Sequence, residues 1–126
     1  MPNPVMHFEV MAKENVDAVR RFYTDAFGWT VDADNPMNYG LVDTGGGIGI
    51  NGGIGINGGI GTPMPGGPSY ATFYVAVDDL AAALEKIESL GGRTVVPPMD
   101  IPDGKVSIAM FNDPAGNLIG LVKPHA

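Results

Sequence analysis

The stretch VDDLAAALEKIESLGG, residues 77–92, decides the fold class of this chain. An aspartate, Asp78 or Asp79, can cap a helix at its start, and two glycines can end the helix. Apolar residues recur at helical spacing between these ends, namely Leu80, Leu84 and Ile87. The segment therefore predicts an amphipathic helix with one apolar face.

Strand patterns flank this helix on both sides. The segment SYATFYVAV (69–77) precedes it and is rich in β-branched and aromatic residues. Three further strand-like segments follow it with turn sequences between them: RTVVPP (93–98), KVSIAMFND (105–113) and NLIGLVK (117–123). The second half of the chain is thus predicted as strand, helix and three strands.

The first half shows the same plan. A strand-like MHFEVM (6–11) is followed by a helical pattern in KENVDAVRRFYTDAFGW (13–29), with Gly28 as its stop signal. The aromatic residues of that helix are expected to pack on a sheet, and Arg20 and Arg21 are expected to form a solvated face. Two strands are then predicted in WTVDAD (29–34) and NYGLVDT (38–44).

Residues 45–61 read GGGIGINGGIGINGGIG, a tandem repeat of a glycine-rich hexad. A dinucleotide-binding loop needs a helix directly after its glycines, and more glycine follows here. A stacked solenoid needs at least about three complete repeats, and a flexible tether would be more polar. The isoleucines fall on even positions, as in a strand that buries one face. We therefore predict that the hexads supply the fourth strand of the first half, with the surplus hexad in a longer hairpin or a loop.

These motifs together resemble the vicinal oxygen chelate superfamily, which includes glyoxalases, bleomycin-resistance proteins and extradiol dioxygenases. The resemblance is carried by HFEV (7–10), RRFYTDAFGW (20–29), VDDLAAALEKIESLGG (77–92) and FNDPAGNLIGLV (111–122). It implies an α+β fold of two βαβββ repeats, each a curved half-barrel around a ligand pocket, and a homodimer. We expect a single domain with a first unit at 1–62, a Pro/Gly connector at 63–69 and a second unit at 70–126.

The resemblance also implies where a divalent metal would bind. Metal-dependent relatives use a His on the first strand, a carboxylate on the fourth, a His or Gln on the fifth and a Glu on the eighth. His7 matches the first of these positions, whereas Thr72 and Gly120 stand at the fifth-strand and eighth-strand positions. No charged residue or histidine lies between Asp43 and Asp78, so the fourth strand offers no charged ligand. His7 is the only candidate ligand, and we expect neither a metal nor another cofactor.

His7 and Glu9 lie two residues apart on one predicted strand face, which suits them to a role as acid and base or to binding a cation. A lone strand histidine is also compatible with a purely structural role. Further residues are predicted to line the pocket with these two: Tyr39, Thr72, Tyr74, Met110 and Gly120.

Composition limits the function classes. The chain of 126 residues has a formal net charge of -7, which disfavours binding to nucleic acid or to an anionic membrane. It contains no cysteine, so disulfides and thiolate chemistry are excluded. Neither a signal peptide nor a membrane span is evident, and a cytoplasmic location is expected.

Three functions agree with these observations. The first is a bleomycin-resistance-like protein that binds a small organic molecule in its cavity without the usual metal. The second is an enzyme, namely a lyase, isomerase or dioxygenase, that uses His7 with unusual metal ligands or uses His7 and Glu9 as a metal-free acid and base. A module with a purely structural or interaction role is a third possibility from another class.

Overall fold

A computed structural model describes residues 2–45, 56–101 and 105–125 of the chain. Eight strands and two helices alternate in these residues, in the order strand, helix and three strands, repeated once. Their bounds are β1 Val5–Met11, α1 Val16–Phe27, β2 Thr30–Asp32, β3 Gly40–Asp43, β4 Gly58–Gly61, β5 Tyr70–Ala76, α2 Leu80–Ser89, β6 Arg93–Asp100, β7 Val106–Asn112 and β8 Leu118–Pro124. The predicted α+β class and its two βαβββ repeats are confirmed.

The chain divides into two compact units, one of residues 7–71 and one of residues 1–6 with 72–126. In the first, the strand order is β2-β3-β4-β1, with β1 and β4 parallel and the other pairs antiparallel. In the second, the order β6-β7-β8-β5 repeats this topology, again with one parallel pair, β5 and β8. The expected boundaries at 62 and 70 stay a prediction.

Helix α1 ends at Gly28 as predicted, in a left-handed conformation (φ 71°) that glycine adopts without a steric penalty. The Trp29 ring stacks on Tyr23, with ring centroids 5.4 Å apart, and contacts Phe27 at 5.3 Å. Phe22 and Phe27 are nevertheless each 62% exposed. The expectation that all the aromatic residues of α1 pack on a sheet is therefore only partly right.

Arg20 corrects the expectation of a solvated face. Its side chain is buried, and its guanidinium donates two hydrogen bonds to the Ile60 carbonyl, at 3.1 and 3.0 Å, and one to the Asn38 carbonyl at 2.8 Å. Asp17 lies 3.6 Å away on the same helix. Arg20 thus fastens α1 to β4 and to the turn before β3, because a buried guanidinium must have its donors satisfied.

The glycine hexads contribute β4, which is GGIG at Gly58–Gly61. Ile60 is fully buried, as the even-position pattern predicted, and the strand lies between β1 and β3. The preceding hexads, within residues 46–55, lie outside the described residues, so the predicted hairpin or loop stays a prediction. Glycine allows a close approach here: a Cβ on Gly58 would lie 2.4 Å from the Phe8 carbonyl oxygen.

In the second unit, α2 covers one face of its sheet. The Asp79 side chain accepts a hydrogen bond from the Ala82 amide at 3.0 Å, which identifies Asp79 rather than Asp78 as the cap. Buried apolar side chains form the core beneath the helix: Leu80, Leu84, Ala109 and Leu121. Neither helix of the described residues has the length and apolar character needed to cross a bilayer.

Candidate functional site

Four polar side chains form a hydrogen-bonded chain in residues 7–71. His7 Nε2 lies 3.0 Å from Tyr39 Oη, and that hydroxyl donates to Glu9 Oε1 at 2.9 Å. The Tyr70 hydroxyl approaches Glu9 Oε2 at 3.5 Å. Glu9 is buried, with 5% of its surface exposed, so hydroxyl donors on both carboxylate oxygens offset much of its desolvation.

Strand alternation puts His7 and Glu9 on one face of β1, because they are two residues apart. Tyr39 lies in the turn before β3. There the Asn35 side chain forms hydrogen bonds with both backbone polar groups of Tyr39. The Asn35 amide donates to the Tyr39 carbonyl at 2.7 Å and accepts from the Tyr39 backbone N–H at 2.9 Å. This side-chain turn fixes the backbone from which the phenol extends to Glu9.

The Tyr39 ring lies over Gly59, the β4 residue that pairs with Glu9. A Cβ on Gly59 would lie 1.9 Å from Tyr39 Oη, so the phenol occupies the space that a β4 side chain would need. Leu41 of β3 pairs with Gly59 from the other side. The absence of a side chain at Gly59 is thus what allows Tyr39 to reach Glu9.

Burial shifts the pKa values of two residues in this hydrogen-bonded chain, His7 and Tyr70. Desolvation lowers the pKa of His7 below its ordinary value, which favours the neutral imidazole. Burial, with smaller contributions from the Glu9 charge and its hydrogen bond, raises the pKa of Tyr70 to about 12. His7 and Tyr70 are therefore both favoured in their neutral forms at neutral pH.

A cavity of about 410 Å³ adjoins this chain of side chains, and His7 is part of its wall. The rest of the wall comes from β2, β3 and the start of β4, and includes Val31, Asp32, Leu41, Asp43 and Asn57. Among the described residues, its lining includes two carboxylates and no Lys or Arg. A volume of this size suits a small organic molecule, since ligand sites occupy roughly 300–1,000 Å³.

The other predicted pocket residues lie in the second unit. Thr72 donates its hydroxyl to the Leu118 carbonyl at 2.6 Å, and Met110 of β7 is buried beside Gly120 of β8, with which it pairs. Tyr74 is buried over Gly120, where a Cβ would lie 2.3 Å from the tyrosine ring. The second unit therefore also contains a tyrosine that covers a glycine.

These side chains do not fit the divalent metal that the resemblance implies. Tyr39 bridges His7 and Glu9, β4 carries glycine at the position beside Glu9, and Thr72 is bonded to a backbone carbonyl. Metal sites of this kind need three or four donors from side chains such as His, Asp and Glu. Among the described residues, no three side chains of these types come together in a way that could hold an ion.

Two groups of residues escaped the sequence analysis. Tyr70 lies at the start of a strand with no motif around it, and only the fold brings it to Glu9. In the second unit, the Ser107 hydroxyl contacts Asp100 and lies 2.7 Å from His125 Nε2, so it joins β6, β7 and the end of β8. The strand register, which places Asp100 opposite Ser107, could have revealed the second group.

Comparison with known proteins identifies the family. The sequence profile of the Glyoxalase/Bleomycin resistance protein/Dioxygenase superfamily matches residues 5–121. The chain belongs to this superfamily. The resemblance in the sequence motifs is therefore confirmed over most of the chain.

Three similar proteins illustrate the superfamily. “Putative glyoxylase CFP32” of Mycobacterium tuberculosis is 37% identical over 110 residues, which cover 82% of this chain and 40% of that protein. The anthracycline biosynthesis protein DnrV of Streptomyces peucetius is 31% identical over 116 residues, 84% of this chain and 42% of its own. The chain thus spans about two fifths of the length of these relatives. Methylmalonyl-CoA epimerase from Mycobacterium tuberculosis shares the fold, with a TM-score of 0.62 at 18% identity over 97% of this chain and 88% of that one.

Proposed function

We propose that this superfamily member binds a small organic molecule in the cavity beside His7, without a divalent metal. The observation that carries this proposal is the Tyr39 bridge between His7 and Glu9. It uses the donors that a metal would need, while an adjoining cavity of about 410 Å³ offers room for a ligand. The names of the relatives, a glyoxylase and an anthracycline biosynthesis protein, also point to small organic molecules.

The wall of the cavity supports the same proposal. Val31 and Leu41 supply apolar surface, and Leu41 is 53% exposed, as expected of a side chain that a ligand would cover. His7, Asp32 and Asp43 supply polar groups that can orient a molecule. The described residues of this wall include no Lys or Arg, which favours neutral or cationic ligands over anions.

Binding is tested by filling the cavity. Leu41→Trp places an indole in the space, and we expect it to weaken binding of any hit from a thermal-shift screen at least tenfold. Leu90→Trp is the matched control, because Leu90 is 70% exposed and lies at the end of α2. A ligand at 100 times its dissociation constant stabilises the wild type by about 2.7 kcal/mol. Equal binding by both variants, or a screen in which no compound raises the melting temperature, would contradict the proposal.

The metal-free part is tested separately. We expect the purified protein, incubated with Zn²⁺, Mn²⁺ or Ni²⁺ and then desalted, to retain less than one ion per chain by elemental analysis. One tightly held ion that is lost in His7→Ala would show a metal site and refute this part.

A second candidate is proton transfer by His7 and Glu9 as a metal-free acid and base. The hydrogen-bonded chain His7–Tyr39–Glu9 favours it, since a neutral imidazole beside a carboxylate can accept and relay a proton. Turnover of a bound ligand that His7→Ala abolishes would support this candidate over binding alone. The homodimer implied by the resemblance belongs to the same proposal, and sedimentation velocity measures it.

A further inference from the structure

The Arg20 side chain contacts the backbone on both sides of Tyr39. Its guanidinium donates to the carbonyl of Asn38, the residue before Tyr39, at 2.8 Å. On the other side, a Cβ on Gly40 would lie 2.8 Å from Arg20 Nε, so the arginine packs directly against the residue after Tyr39. The Arg20 side chain is only 10% exposed, and buried N–H groups require acceptors of this kind. Arg20 therefore restricts the backbone that carries the Tyr39 ring.

The same guanidinium also holds the strand beneath the Tyr39 ring. Its Nε and Nη2 groups both donate to the carbonyl of Ile60, at 3.1 and 3.0 Å. Ile60 lies between the two glycines that the ring covers, Gly59 and Gly61. A Cβ on these glycines would lie 1.9 and 2.9 Å, respectively, from the nearest atom of Tyr39. One planar group therefore fixes both the backbone of Tyr39 and the surface on which its ring lies.

The backbone conformation of Asn38 also indicates a special role for this turn. Asn38 has a φ of 50°, in the left-handed region that residues with a side chain seldom adopt. Such conformations are costly, and they persist where the surrounding structure holds them. The bond from Arg20 to the Asn38 carbonyl is one such contact. Tyr39 is thus held by two side chains, Asn35 from within the turn and Arg20 from α1.

We propose that Arg20 is a positioning residue of the candidate site, because it sets the Tyr39 hydroxyl within hydrogen-bonding distance of His7 and Glu9. The inference rests on the proposed function, since His7 is part of the cavity wall. Among the described residues of that wall, none belongs to α1. Arg20 thus gives α1 an influence on the cavity that acts through Tyr39 and then His7.

The shape of the guanidinium suggests the variant for the test. Its planar set of donors reaches the carbonyls of Asn38 and Ile60 at the same time, whereas the ammonium of a lysine is a compact point charge. Arg20→Lys therefore keeps the positive charge and removes the fixed geometry. Asp17→Asn is the matched control on the same helix, because Asp17 lies 3.6 Å from the guanidinium and its side chain is 86% exposed.

The ring nitrogens of His7 report on the position of Tyr39, because His7 Nε2 lies 3.0 Å from the phenol oxygen. Long-range ¹H–¹⁵N NMR of the free protein measures their chemical shifts, and His125→Gln assigns the two histidines. We expect Tyr39→Phe and Arg20→Lys to move the His7 signals in the same direction. Asp17→Asn should leave these signals in place. Arg20→Lys should add no further shift in the Tyr39→Phe background, because it acts through the phenol.

A merely structural role of Arg20 predicts a different result. Loss of stability alone lowers the melting temperature and leaves the signals of the folded protein unchanged, and Leu84→Ala in the core of the second unit is the control for this effect. His7 signals that Tyr39→Phe or Arg20→Lys leaves in place would overturn the inference, as would an equal Arg20→Lys shift without the phenol. If neither Arg20→Lys nor Arg20→Gln folds, Arg20 serves the whole fold and the inference is refuted. The measurement needs no ligand, so its failure is distinct from failure of the cavity function, which Leu41→Trp tests.

Discussion

Gly59 and Tyr39 constrain each other sterically, because the Tyr39 ring occupies the space that a side chain at position 59 would need. A methyl group on Gly59 would overlap the phenol, whose oxygen would be 1.9 Å from the new carbon. We therefore expect Gly59→Ala to destabilise the protein by about 1–3 kcal/mol, the usual range for overpacking. Urea unfolding measures the change.

A double-mutant cycle identifies the cause. With Tyr39→Ala as the background, the space beside Gly59 is open, so adding the methyl group should cost much less than in the wild type. The same loss in both backgrounds would show that backbone freedom at Gly59, rather than contact with Tyr39, sets the cost.

Sequence reasoning about single residues reached part of this site. It singled out His7 and Glu9 from their spacing on one strand, and the structure joins both to Tyr39 by hydrogen bonds. Tyr39 was predicted within a strand but lies in the turn before β3, so its strand assignment was wrong. It gave no sign of Tyr70, because the contact with Glu9 spans 61 positions of the chain. It also placed Arg20 in solvent, since helical spacing does not reveal that the carbonyl of Ile60 accepts from it.

At the scale of the secondary-structure elements, the start of α2 depends on one side chain. Asp79 accepts from the Ala82 amide at 3.0 Å, and α2 carries the leucines of the core beneath it. We expect Asp79→Ala to lower the free energy of unfolding by about 1 kcal/mol, the usual effect of losing an N-cap. Chemical denaturation of the purified variant measures it.

The neighbouring aspartate is the control for this prediction. Asp78→Ala removes a carboxylate of the same charge one position earlier, where the structure assigns no cap. We expect a change of less than about 0.5 kcal/mol, as for a surface substitution. Equal losses in the two variants would point to the charge rather than the cap.

Periodicity predicted the elements well and their pairing poorly. Apolar spacing and glycine stops located α1 and α2, because both signals are local. The strand order β2-β3-β4-β1 follows from contacts between distant segments, and no pattern in the sequence predicted it. β4 was predicted only in part. The alternating isoleucines indicated a strand, but the repeat did not show where that strand begins and ends.

At the scale of the whole molecule, global stability should depend on the protonation of Tyr70. Its pKa is raised to about 12 in the folded protein from an ordinary value of 10.0, so folding favours the neutral phenol. The stability linked to Tyr70 is therefore fully present below pH 10 and is lost as the pH rises towards 12. We expect the difference in unfolding free energy between the wild type and Tyr70→Phe to be constant up to about pH 10 and to decrease above it.

The comparison with Tyr70→Phe isolates this residue, because the two proteins share every other titratable group. Urea unfolding at intervals from pH 8 to 12 gives the two curves, and this range covers the interval between the ordinary pKa of 10.0 and the raised pKa of about 12. A difference that stays constant throughout this range would mean that Tyr70 ionises equally easily in the folded and unfolded chains.

The tetrad that forms β4 occurs three times in the chain, as GGIG at 46–49, 52–55 and 58–61. The contacts of β4 depend on three features of the tetrad. One is a backbone carbonyl that accepts from Arg20, the second is a glycine beneath the Tyr39 ring, and the third is a buried isoleucine side chain. Every copy of the tetrad can supply these features, and the middle copy is also preceded by an asparagine, as β4 is. A gain or loss of whole hexads by replication slippage would therefore change the number of residues between β3 and β4, while the tetrad beside Glu9 would keep the same chemistry.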